Sequence, residues 1–369
     1  MPGDTSPDRL PPEESERWAR VDRILDAALE RPRDARAPFV REACAGDDAL
    51  RVEVERLLAA CEQAEGDERF LGESAARFAA PVLRDLGPAE ALRAAAPPAA
   101  LVQALAAEYR VEQVVGRGAM ATVYLAHERH FDRPVAIKVL RAELAQDCDI
   151  RHFQREISRT AKLNHPHIVQ VFDSGDAGGL LFYVMPFMAG GTLRQRLARG
   201  RQLPIAEALG IARRMAGALD SAHRHGLVHR DVKPENILFA EGEPSLADFG
   251  IARALDRIPD ETWSSIGLVR GTPEYMSPEQ VRAEGQLDGR SDVYALACVL
   301  HEMLGGDPPF TGPDSLAVMR RQVKDEPPLL RTVRPDVPVG IAEAIRRALA
   351  KAPADRPATA AAFADALNA

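Results

Sequence analysis

Apolar residues recur along the chain at two different periods, and the change of period divides it. Within residues 12–31, Trp18, Val21, Ile24, Leu25, Ala28 and Leu29 fall at helical spacing, and Pro32 ends the run. Phe39, Val40 and Ala43 predict a second short helix. Asp48 is placed to cap a third, whose face carries Leu50, Val54, Leu57, Leu58 and Cys61. Three short amphipathic helices make only a thin core, so residues 1–72 read as a small helical domain suited to docking on a larger body. Over 73–100 the composition shifts to Ala, Pro and Arg, which predicts a linker with some helical character.

After Leu101 the pattern tightens. YRVEQVV and ATVYLAHE alternate as two strands joined by a glycine turn, and the β-branched RPVAIKVL reads as a third. A helix is predicted over about 147–163, and from about Leu203 onward helices dominate, broken by Gly- and Pro-rich loops. A small strand-rich part therefore precedes a larger helical part. The fold class is α+β with two lobes, and clefts between lobes are common ligand sites.

Composition narrows the function. A net charge of −8 argues against nucleic acid or an anionic membrane as a general partner. The N-terminus lacks a basic segment followed by an apolar one, and no apolar run approaches the roughly 18 residues of a membrane helix. Cys44, Cys61, Cys148 and Cys298 are scattered, which fits a reducing cytoplasm better than a zinc site or a disulfide framework. Of 47 basic residues only five are lysine, namely Lys138, Lys162, Lys233, Lys324 and Lys351. Where this chain departs from arginine, a reason is worth seeking.

VVGRGAMATVYLA over 114–126 opens like a phosphate-binding G-x-G-x-x-G loop, but the third glycine is replaced: Gly116, Gly118, then Ala121. Alone, the glycine pair reads more readily as a tight turn. A dinucleotide-binding unit would continue into a helix with an acidic residue about 20 positions on; here a strand follows, then VAIK. Lys138 ends that VAIK. Its bland reading is a solvated strand-end cation, weakened by the arginine bias. Lysine offers phosphate a compact point charge and needs a carboxylate to hold it, for which Glu156 on the following helix is the candidate. HRDVKPEN over 229–236 carries what phosphoryl transfer requires. Asp231 would orient the attacking hydroxyl and accept its proton, Lys233 would neutralise the moving group, and Asn236 would ligate metal. Asp248, in DFG after SLA, supplies a hard oxygen for magnesium. GTPEYMSPE over 271–279, Asp292 in SDVYALACVL and Arg356 in PADRPA complete the set.

In this order the motifs resemble the eukaryotic-like protein kinase family, and closely its bacterial serine/threonine members, from about Tyr109 to Leu367, roughly 70% of the chain. More loosely, ERW, ALE, EAC and LRVEVERLL are similar to an N-terminal extension on some bacterial kinases. The resemblance implies a two-lobed protein kinase fold over 101–369: an N-lobe at about 109–188 with a five-stranded sheet and one helix, and a mainly helical C-lobe at about 189–369. A small all-α segment precedes it.

The resemblance also implies roles. Val115, Gly116, Arg117, Gly118, Ala119 and Met120 would cover the ATP phosphates, and Val123 and Ala136 would close on adenine. Met185 would gate the back of the pocket, while the Pro186 carbonyl and the Met188 amide would bond the base. Lys138 would hold the α- and β-phosphates and pair with Glu156. Asp231 would be the base, Lys233 the γ-phosphate contact, and Asn236 and Asp248 the ligands of Mg2+, with Mn2+ able to substitute. His229, Phe249, Thr160 and Val171 would stack as an internal spine in which Thr160 is less apolar than the ideal. Asp292 would brace the catalytic loop, and Glu279 would pair with Arg356. Lys233 and Thr272 point to serine or threonine acceptors on protein substrates. Glu235 matches a position that reads a basic residue N-terminal to the acceptor in basophilic relatives. Arg230 marks kinases switched by activation-loop phosphorylation, for which Thr262, Ser264 and Ser265 are the candidates, with a homodimer as one route to trans-autophosphorylation.

Two rivals are weaker. A pseudokinase scaffold would normally lack Lys138, Asp231 or Asp248, and a small-molecule phosphotransferase would usually lack DFG and GTPEYMSPE. Residues 1–72 hold no catalytic constellation and fit an interaction module. The chain ends with the kinase-like part, so its input is expected inside the cell or through a partner unless the chain is truncated. If Ala121 is a tolerated variant of the third glycine, Ala121→Gly alters ATP affinity only modestly, whereas Lys138→Met nearly abolishes transfer. Steady-state kinetics in ATP checks both, and a rise of orders of magnitude in Ala121→Gly would make the loop a built-in brake.

Overall fold

The structure is a computed structural model that describes residues 24, 27–28, 31, 33–47, 50–51, 54, 97–118, 120–255, 258, 272–284 and 287–368. The chain divides into two units, Met1–Ala80 and Pro81–Ala369, with the break inside the segment read as a linker. In the first unit, helix α1 spans Arg33–Ala43. Val40 and Cys44 are buried with Ile24, Ala28, Leu50 and Val54, and Phe39 and Ala43 pack against them. Asp48, expected to cap the next helix, lies outside the described residues, and its neighbour Asp47 offers a cap. Its carboxylate accepts from the Leu50 N–H at 3.0 Å, and a capping side chain reaches a donor two or three residues on. Trp18, Val21, Leu25, Leu29, Leu57, Leu58 and Cys61 lie outside the described residues.

The second unit opens with α2 (Ala99–Leu105), whose Leu101 and Leu105 are buried. Strands β1 (Tyr109–Arg117), β2 (Ala121–Glu128), β3 (Arg133–Leu140), β4 (Asp173–Asp176) and β5 (Leu181–Pro186) follow. They form one sheet in the order β1-β2-β3-β5-β4, antiparallel throughout. Alternation along β3 serves two cores. Val135, Ile137 and Val139 pack with Val114, Tyr124 and Leu101 on one face, and Ala136 and Leu140 join Tyr183 and Met185 on the other. A short helix the sequence reading did not anticipate, α3 (Ala142–Asp147), precedes the helix expected over 147–163, which is α4 (Ile150–Thr160). Asp149 caps the start of α4 by accepting from the Arg151 and His152 N–H groups at 3.0 and 3.1 Å.

The remaining helices are α5 (Leu193–Gly200), α6 (Ile205–Arg224), α7 (Ile251–Ala254), α8 (Pro278–Val281), α9 (Gly289–Gly305), α10 (Ser315–Lys324), α11 (Leu330–Val333), α12 (Val339–Ala348) and α13 (Ala360–Ala366). A two-stranded hairpin, β6 (Ile237–Ala240) and β7 (Glu243–Leu246), lies between α6 and α7 in sequence. Helix α9 is buried from Ser291 to Gly305; a helix enclosed on every side belongs at the centre of its core. It packs with α6, α12 and α13.

Charge is admitted to this core only in paired form. Arg356, its side chain fully enclosed, forms a two-point ion pair with Glu279, 2.7 Å on each arm. Its remaining donors go to the carbonyls of Ala350, Arg290 and Lys351, and Ser291 Oγ donates to Glu279 at 2.6 Å. Burial pushes the Glu279 carboxyl up, but Arg356 and Ser291 together hold it below the usual glutamate range. Glu279→Ala should therefore cost about 3–5 kcal/mol, because it leaves Arg356 buried and unpaired. The wild-type pair acts in full above the ordinary glutamate pKa and is lost as pH falls through the lowered one. Urea melts of both proteins between pH 3 and 7 should converge at the acid end.

Candidate active site

The loop between α6 and β6 is held from below by one carboxylate. Asp292 on α9 accepts from the backbone N–H of His229 and of Arg230, each at 2.8 Å, and from His223 Nε2 at 2.7 Å. Burial pushes its pKa up, but the His223 bond and the neighbouring donors hold it below the usual range, so it stays charged. His229 is wholly buried. Its Nδ1 lies 3.2 Å from the Asp231 N–H, which makes Nδ1 the acceptor and leaves Nε2–H to donate to the Ala247 carbonyl at 2.8 Å. These bonds hold Arg230 at φ 68° and Asp248 at φ 67°, a region a non-glycine residue occupies at a cost of about 1–3 kcal/mol.

The short helical turn Pro234–Asn236 then closes the site on itself. The Asn236 amide nitrogen donates to the Asp231 carbonyl at 2.7 Å and to its Oδ2 at 3.1 Å. With its NH2 committed, Asn236 is left with its carbonyl oxygen for a ligand. Lys233 Nζ sits 2.9 Å from Asp231 Oδ2 and donates to Thr272 Oγ1 at 2.9 Å. Burial pushes the Lys233 pKa down, but Asp231 outweighs it and raises the pKa above the usual value. Both side-chain interactions of Asp231 fall on Oδ2, which leaves Oδ1 without a side-chain donor among the described residues.

Several of the residues that the resemblance assigns to the nucleotide lie near one another. Ala136 and Met185 share one apolar cluster, against which Met120, Val123 and Met188 pack. Leu238 packs there too. The motif reading passed over it, although it stands on β6 two residues after Asn236, where strand alternation returns a side chain to the same face. Pro186 ends β5 opposite Val135. Val115, Gly116 and Arg117 close β1, and the Gly118 N–H donates to the Ala121 carbonyl at 2.8 Å; Ala119 lies outside the described residues. A Cβ on Gly116 would come no nearer than 3.9 Å to another atom, and one on Gly118 no nearer than 3.6 Å. The protein leaves room for side chains there, so its own packing does not require glycine at either position.

One expected pair is not made. Lys138 binds Asp248, through Oδ2, and not Glu156. Glu156 pairs instead with Arg159 at 2.9 Å and with Arg253 at 3.6 Å. The physical reason is α7. Ile251, Ala254, Leu255 and Ile258 pack in the cluster that holds Phe153 and Ile157 of α4, and this brings Arg253 to Glu156. Arg253 follows DFG by three residues, yet nothing in its local sequence distinguishes it from the chain's other arginines. The second oxygen of Asp248 accepts from the Tyr183 hydroxyl, also unforeseen. Burial pushes the Asp248 carboxyl up, but Lys138 and Tyr183 pull it below the usual aspartate range.

The spine is partly as expected. His229 and Phe249 meet edge to face with centroids 4.5 Å apart. The Thr160 layer is polar: its hydroxyl lies 3.0 Å from the Phe249 carbonyl and 3.2 Å from the Glu156 carbonyl. One hydroxyl proton serves one of these at a time. Glu235 is already engaged by Arg194 at 2.7 Å. Arg194 also binds Glu302 and the Tyr275 hydroxyl. Thr262, Ser264 and Ser265 lie outside the described residues.

The sequence profile described as the protein kinase domain matches residues 109–367. The chain belongs to the protein kinase domain family. The chain is 41% identical over 269 residues to the serine/threonine-protein kinase pkn3 of Myxococcus xanthus, a match over 70% of this chain and 49% of that protein. It is 40% identical over 265 residues to PknB of Mycolicibacterium smegmatis, over 70% of this chain and 42% of PknB. It is 39% identical over 254 residues to PknL of Mycobacterium tuberculosis, over 68% of this chain and 63% of PknL. The chain thus spans about half or less of the first two relatives. The family uses ATP with a divalent metal, and the donor set here suits one. Among the described residues no cluster of three or more His, Cys, Asp or Glu could hold an ion by itself. An ion carried on nucleotide phosphates needs only one or two protein oxygens, for which Asn236 and Asp248 are the candidates. Among the described residues no helix is long and apolar enough to cross a membrane.

Proposed function

We propose that the chain is a serine/threonine protein kinase that transfers the γ-phosphoryl group of MgATP to protein hydroxyls. The observation that carries this reading is Lys233, whose ammonium lies 2.9 Å from both Asp231 Oδ2 and Thr272 Oγ1. Asp231 orients the acceptor hydroxyl through Oδ1 and takes its proton as the new P–O bond forms and the bond to the leaving ADP oxygen breaks. Lys233 offsets charge on the transferring group, and the Gly116–Met120 backbone and Lys138 hold the nucleotide. Magnesium, when bound, neutralises charge on the phosphates. Asn236 and Asp248 would hold it.

In the arrangement described, Lys138 and Glu156 are each paired elsewhere, so α7 must give way before they can meet. Phosphorylation at Thr262, Ser264 or Ser265, within one copy or between two, would supply a drive for that change. With Glu235 neutralised by Arg194, a basic residue in the substrate gains little there. Residues 1–72 would serve as an interaction module joined through 73–100.

With [γ-32P]ATP and a generic protein acceptor, Asp231→Asn should lower incorporation by at least about 100-fold, the scale of a lost general base. Equal incorporation by wild type and variant would overturn the reading. Mass spectrometry of the wild-type protein after incubation should find phosphate on the 262–265 segment; an active enzyme unmodified there would remove autophosphorylation from the scheme.

A further inference from the structure

Strands β3 and β5 run antiparallel, and their register sets Lys138 directly opposite Tyr183. Opposed residues project from the same face of a sheet with Cβ atoms about 4.5–5.5 Å apart. Both side chains end on a single acceptor. Lys138 Nζ donates to Oδ2 of Asp248, and the Tyr183 hydroxyl donates to Oδ1. The Tyr183 residue is 2% exposed, and its ring is packed in the cluster that contains Phe153, Ile157 and Ile251. Among the described residues Asp248 is the hydroxyl's one hydrogen-bond partner, so turning Asp248 away would leave a buried hydroxyl unsatisfied.

The two donors differ in what else they can do. Lys138 is a flexible cation that the kinase reading also requires at the nucleotide phosphates and at Glu156. Tyr183 is a rigid ring fixed by strand register, with no other task in the site. We propose that Tyr183 is a positioning residue for the metal: it holds Oδ1 of Asp248 in place, so that Oδ2 is available to the divalent ion once Lys138 turns to the nucleotide. The proposal rests on reading Asp248 as a metal ligand. Carboxylate ligands are commonly oriented by a hydrogen-bonding partner outside the coordination sphere, and losing such a partner costs about 10–100-fold in metal affinity.

The magnesium dependence of nucleotide binding by the full chain tests this, with mant-ADP as the fluorescent probe in metal-stripped buffer. Tyr183→Phe, which keeps the ring and removes one hydroxyl, should raise the half-saturating magnesium concentration about tenfold. Its mant-ADP affinity without magnesium and its circular dichroism should match wild type, a separation that a merely structural role would not produce. Asp248→Ala should raise the magnesium requirement at least as far, and adding Tyr183→Phe to it should raise it no further. The proposal is overturned by an unchanged requirement in Tyr183→Phe, by a lowered one, which would make the hydroxyl a competitor of the ion, or by additive effects in the double variant. Absence of any magnesium dependence in wild type would overturn the kinase reading and the proposal with it.

Discussion

Asp292 is fully enclosed in the C-lobe core, and its charge is tolerated only because three donors converge on it. An isolated carboxylate at that depth would be neutralised or expelled. Here its burial holds two consecutive backbone N–H groups, and they hold the loop that carries Asp231, Lys233 and Asn236. The strained backbone at Arg230 persists because Asp292 from one side and Gln280, donating to the Arg230 carbonyl at 2.8 Å from another, over-determine it. Helix α9 is thus the foundation of the site as well as the centre of the core.

A second constraint is competition for a few charged groups. Lys138 has two carboxylates within its history of plausible partners, Asp248 and Glu156, and the structure gives it to Asp248. Glu156 is not left bare, since Arg159 and Arg253 answer it. What shifts the balance is apolar: the one-turn helix α7 buries Ile251 and Ala254, with Leu255 just beyond its end, in the cluster that holds Phe153 and Ile157 of α4. Four residues after DFG therefore govern a pairing more than a hundred positions earlier in the chain, and they do so through packing rather than through contact with Lys138.

The motifs that carry the chemistry were legible because each is local. The HRDVKPEN string closes its own geometry through bonds spanning two to five residues, such as Asn236 to Asp231 and Asp231 to His229. Strands β1 and β2 were legible from the glycine turn that joins them, and β3 from its β-branched residues. Helix α3 was missed because it is only six residues long, with just Leu144 and Ala145 buried to mark a face. Tyr183 was passed over because an aromatic in LFYVMP reads as core, which it is, and only its hydroxyl has a polar task. Arg194 carried no signal among so many arginines, and only the fold brings it to Glu235, Glu302 and Tyr275.

The sequence by itself determined the family and the α+β class and pointed to the candidate base and metal-ligand groups. Those depend on residue type at short, fixed spacing, and short spacing leaves the backbone little freedom. Its few lysines added a second, compositional pointer at Lys138 and Lys233. The tertiary structure alone decided which carboxylate Lys138 holds, what occupies Glu156 and Glu235, and that Tyr183 meets Asp248. Each of those contacts joins elements distant along the chain, where several partners of equal charge or chemistry compete. The winner is set by packing and strand register, which no local pattern encodes.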